Sequence, residues 1–108
     1  MELNRKPTRE EERLIDVLIK KSSRKFPLWK YKIIVSPMND GGMGSLTLFQ
    51  DEDDKQNRIF GKQISEYRFI DEDGIEVIAS LNIDDKGDLY ELDIWKTDFS
   101  PLIRFPDI

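Results

Sequence analysis

Two short polar segments, Glu72-Asp73-Gly74 and Asp84-Asp85-Lys86-Gly87-Asp88, divide the second half of the chain into three alternating runs. A period of two sends successive side chains to opposite sides of a strand. Gly after Asp or Lys in a short polar break is hairpin-turn chemistry. The pattern leaves little room for anything but an antiparallel meander of Lys62–Ile70, Ile75–Ile83 and Leu89–Lys96. A two-residue Lys86-Gly87 loop sets Ile83 opposite Tyr90, Leu81 opposite Leu92 and Ala79 opposite Ile94, so one face is wholly apolar. The other face then pairs Asn82 with Glu91, Ser80 with Asp93 and Ile78 with Trp95. In the first turn, a three-residue loop with Gly74 left-handed adds Phe69 opposite Val77 and Tyr67 opposite Ala79. A two-residue loop there would bring Arg68 onto the apolar face instead.

An apolar sheet face needs a cover, and the N-terminal third supplies one. Thr8 and Glu11 form a capping box behind Pro7, Glu10 to Glu12 crowd the first turn, and Lys20, Lys21, Arg24 and Lys25 crowd the end. Both charge biases suit a helix dipole. Between them Leu14, Ile15, Val17, Leu18 and Ile19 recur at helical spacing. This predicts a helix over about residues 8–22, its basic end a solvated face. Trp29–Ser36 is rich in β-branched and aromatic residues and reads as a strand, with Trp29, Tyr31, Ile33 and Val35 on one side. Ser45–Phe49 reads as a second, short strand, and as an edge at which two chains could pair. The expected fold is α+β in one domain over residues 1–108: the N-terminal helix packed on one face of a four- to five-stranded antiparallel meander.

The charge balance narrows function. Seventeen Lys and Arg against 22 Asp and Glu give a net charge of −5. An acidic chain is poorly suited to neutralising phosphates, so nucleic acid is not an expected partner, whereas a basic protein is. Cysteine and histidine are both missing. That removes thiolate chemistry, the commonest general base and most zinc sites, and fits a reducing, cytoplasmic setting. No catalytic residue, metal or cofactor is expected. The charged start MELNRKPTREEERL has no apolar core of a signal peptide, and no apolar run approaches a membrane span, so no membrane partner is expected.

Three function classes stay open. The first is a protein-binding face on the polar side of the sheet, with Trp95 among Glu91, Asp93 and Asp98. Against it stands a tail, Phe99, Pro101, Leu102, Ile103 and Phe105, apolar enough to cover Trp95. The second is an anion or small-ligand site in the loop Pro37–Ser45, where Gly41 and Gly42 beside Asp40 could present backbone amides. That loop has no G-K-[ST] ending and lies between strands, so it is not a phosphate-binding loop of the usual kind. The third is acid–base hydrolysis by Glu91 and Asp93. The acidic run in Gln50–Asn57 reads as solvated surface. Asp71–Gly74 and Asn82–Gly87 look like fragments of calcium loops but lack the required ligands and lie between strands.

The strings PMNDGGMGSL (37–46), ASLNID (79–84) and GDLYELDIWKTDFSPLI (87–103) resemble a family of short bacterial proteins that carry a domain of unknown function of about this length. The resemblance spans nearly the whole chain. It implies no established activity. In size, acidity and stand-alone build such proteins are similar to the immunity proteins of bacterial toxin systems, which implies a captured protein partner.

Overall fold

A computed structural model describes residues 4–50 and 58–108. The acidic run at 51–57 lies outside the described residues. Helix α1 (Arg9–Ser22) starts as its capping box predicts. Thr8 Oγ1 accepts from the Glu11 amide at 3.1 Å, and Glu11 Oε1 accepts from the Thr8 amide at 2.8 Å. Arg5 grips the same carboxylate with two bonds of 2.7 and 2.9 Å. Burial pushes the Glu11 carboxyl up, but Arg5 and the Thr8 amide outweigh it and hold it below the ordinary range. Glu11, Leu14, Ile15, Leu18 and Ile19 form the buried stripe, which lies against two strands, β3 (Phe60–Ile70) and β4 (Glu76–Asp84).

The segment expected as a strand from Trp29 to Ser36 is two elements. Residues Trp29–Lys32 form a helical turn, α2, and the strand β1 is Ile34–Pro37. Trp29 and Ile33 are both buried, as alternation requires, but a spacing of four serves a helix equally well. Tyr31 separates the two periods, and it is 80% exposed, off the face it was expected to share.

With β2 (Leu46–Phe49) and β5 (Leu89–Lys96), the strands form one antiparallel sheet in the order β1-β2-β5-β4-β3. The meander is therefore as expected, and the first two strands join it on the β5 side. The expected edge at Ser45–Phe49 is corrected: β2 is interior, and β1 and β3 are the edges. The β1 edge is met by Arg5, whose backbone exchanges bonds of 2.9 and 2.7 Å with Val35.

At the β3–β4 turn, the Gly74 amide bonds to Asp71 O and the Asp71 amide to Ile75 O, both at 2.9 Å, with Gly74 at φ 83°. Phe69 faces Val77 and Tyr67 faces Ala79, as derived. The β4–β5 turn differs. Asp84 N bonds to Asp88 O and Gly87 N to Asp84 O, which makes Asp85-Lys86-Gly87 a three-residue loop. That slips the pairing by one, so Ile83 faces Leu89, not Tyr90. A bulge at Tyr90 restores the register, and Asn82–Glu91, Ser80–Asp93 and Ile78–Trp95 pair as expected. The core lies between the inner sheet face, α1 and Trp29.

Candidate interaction face

Alternation along β5 sends Glu91, Asp93 and Trp95 to the outer face and Leu92, Ile94 and Lys96 inward. A lysine at a core position is the feature the sequence reading passed over. Its side chain is wholly buried, and Nζ donates to Asp71 Oδ2 at 2.8 Å, to Asp73 Oδ2 at 2.6 Å and to the Pro101 carbonyl at 3.1 Å. Asp71 also accepts from the amides of Glu72, Ile103 and Arg104 at 2.7 to 3.0 Å. Burial pushes the Asp71 carboxyl up. The Ile103 amide, the Lys96 ammonium and the other amides outweigh it and bring it down to about 2. The two carboxylates that mimic a calcium loop thus serve an ammonium group.

This clasp decides where the C-terminal tail runs. Leu102 donates its amide to Gly42 O at 3.1 Å, and Leu102 and Phe105 pack on the core. Leu102 and Phe105, two of the residues expected to cover Trp95, thus pack on the core instead. The tail is drawn to the core side by the polar demands of Lys96 and Asp71. Phe99 packs beside Trp95, with ring centroids 6.0 Å apart at 52°.

Trp95 is left 39% exposed and Phe99 69% exposed. Phe99 stands in the left-handed region at φ 63°, which costs a side-chain-bearing residue about 1–2 kcal/mol. The turn that holds it is built by Asp98, whose Oδ1 accepts from the Ser100 amide at 3.0 Å and hydroxyl at 2.6 Å. Those Ser100 bonds hold the Asp98 carboxyl below its ordinary range. Asp93 is exposed, and Glu91 is half-buried with Oε1 accepting from Asn82 at 3.0 Å. Arg68 crosses the face to Glu66 at 2.8 Å and Glu76 at 3.8 Å. Glu91, Asp93, Trp95 and Asp98 thus belong to one region, and Phe99, expected only as cover, joins it as a second aromatic.

The loop candidates behave differently. Asp40 takes the Met43 amide at 3.1 Å on Oδ1 and the Ser45 amide at 2.9 Å on Oδ2. Two amides of the loop are thus already given to a carboxylate of the chain itself. Gly41 and Gly42 are exposed, and Gly42 lies against Pro101. The loop meets the face through Ser45, whose Oγ donates to Ile94 O at 3.2 Å and lies 3.4 Å from Asp93 Oδ1.

At the far end of the sheet, Arg58 closes the outer surface. Its guanidinium lies 4.9 Å from the Tyr90 ring centre and 5.7 Å from that of Phe49. It donates to Asp84 at 3.1 Å and to the carbonyls of Leu48 and Leu89. Among the described residues no group of three or more Asp or Glu is placed to hold a metal ion.

Fold and face define a small α+β domain with one acidic, aromatic-tipped sheet surface. The chain belongs to a family defined as a domain of unknown function (DUF6984), whose profile matches residues 4–106. No curated protein and no solved structure matches it.

Proposed function

We propose that the domain is a non-enzymatic protein-binding module that takes a basic partner on its outer sheet face. The observation that carries this is the Trp95–Phe99 pair. Phe99 holds a strained backbone conformation and leaves most of its ring in water, so the strain is not offset by burial. Half-exposed aromatic anchors are what binding sites use, and Asp93, Asp98 and Glu91 beside them complement Lys and Arg. A partner guanidinium or ammonium could stack on the rings and pair with the carboxylates together. An immunity-like role, neutralising or regulating a basic protein in the cytoplasm, is the form of binding that the acidity and small size favour.

The test is capture from a lysate of the native cells at moderate salt, with wild type and Glu91→Lys/Asp93→Lys compared. A basic protein retained by the wild type and lost by the variant, with equal melting temperatures, supports the module. Equal retention by both removes the acidic face from the interaction.

A further inference from the structure

A basic segment lies at the opposite end of the sheet, beside the β4–β5 turn. Residues 20–32, KKSSRKFPLWKYK, hold six basic side chains and no acidic one, in a chain of net charge −5, and of these Lys20 is paired with Asp16 at 2.9 Å. The segment is fixed by Phe26, packed on the core, and by Trp29, 8% exposed. The i, i+3 pair between and beyond them points the other way: Leu28 is 64% exposed and Tyr31 80%. Leu28 is left-handed at φ 63°, so here too a strained residue holds an apolar side chain in water. The Tyr31 amide donates to Leu28 O at 3.1 Å, and Lys6 Nζ to Tyr31 O at 3.2 Å, which fixes the turn. Two clefts of about 380 Å³ adjoin it. One is lined by Arg24, Lys62 and Lys86, the other by Lys25 and Lys32. They also hold Asp84, Asp85 and Asp88, of which Asp84 is paired with Arg58.

We propose that Lys20–Lys32 is a reversible docking surface for an anionic lipid bilayer, with Leu28 and Tyr31 entering the headgroup layer. Five of the six cations are lysines, point charges suited to a diffuse anionic surface and without the planar fork of arginine. Leucine offers a base no stacking face and is under-represented in protein hot spots, but it partitions into a bilayer. Tyrosine suits the membrane–water boundary. No helix among the described residues is long and apolar enough to cross a membrane, and surface docking needs none. The expectation of no membrane partner rested on the missing signal-peptide core and the missing span, and neither bears on surface docking.

The test is cosedimentation with vesicles of phosphatidylcholine containing about 30% phosphatidylglycerol, and with pure phosphatidylcholine, at about 0.1 M salt. Binding is expected to the anionic vesicles and not to the neutral ones. Lys30→Glu should weaken it at least about fivefold, the worth of one basic residue near such a surface. Leu28→Asn/Tyr31→Ser should abolish it, and asparagine tolerates the left-handed backbone, so the fold survives. Wild type that stays in solution with anionic vesicles overturns the proposal, as does undiminished binding by either variant. A shift of single-stranded oligonucleotides without vesicle binding reassigns the patch to nucleic acid and overturns it too.

Discussion

Single residues carry the arguments that matter most here, and Asp71 is the clearest. It neutralises a buried ammonium and anchors two amides of the tail. Asp71→Ala leaves Lys96 with Asp73 as its remaining carboxylate and should cost about 3 kcal/mol, read from urea unfolding. The carboxyl is held at about 2 in the folded chain, below its usual 3.8. The unfolded chain therefore binds this proton more tightly. The stability Asp71 contributes is complete above about pH 5 and is lost as pH falls through 3.8 toward 2. A carbon-13 titration of the Asp71 carboxyl should show its midpoint near 2, and a midpoint near 3.8 would contradict the clasp. Trp95→Ala belongs to this scale as well. With the residue 39% exposed it should cost about 1–2 kcal/mol, well short of the 3–5 typical of a buried aromatic.

Elements were legible where two signals agreed. The capping box and apolar stripe placed α1, and Asp73-Gly74 with its flanking alternation placed the β3–β4 pairing. The β4–β5 register was right from Asn82–Glu91 onward although its turn was not, because a one-residue slip and a one-residue bulge cancel. Nothing local in Tyr90 announces that bulge. The α2 turn was missed because Trp29 and Ile33 fit both periods. At the site, alternation placed Glu91, Asp93 and Trp95, but the route of the tail was hidden. It depends on Lys96 falling at an inward position and demanding carboxylates from a distant turn. That demand could have been read from Leu92, Ile94 and Lys96 sharing one side.

The same element logic separates two glycines. In β3, Gly61 is an extra residue in the ladder, and a Cβ there would lie 2.2 Å from Asp84 O. Gly61→Ala should cost about 1–3 kcal/mol through overpacking against backbone. Gly74→Ala meets nothing within 4 Å and pays only for its positive φ, about 1 kcal/mol. Urea midpoints for the two variants, falling in that order, would support the bulge and the turn as described.

Among the described residues, the aromatic pair and its carboxylates lie at one end of the sheet, and the basic 20–32 segment lies at the other, beside Asp84, Asp85 and Asp88. On the two proposals made above, the domain would meet a basic protein at one end and an anionic surface at the other. The proposed protein contact rests on the strained aromatic at position 99. Phe99→Asn relieves the backbone and removes the ring, so it separates folding from binding in one substitution. The decisive measurement is quantitative capture from native lysate by wild type and Phe99→Asn, each with its melting temperature. The variant should melt at or above the wild type and lose the basic protein that the wild type retains. A variant that keeps the same partner at the same yield would show that the Trp95–Phe99 pair is not the binding site.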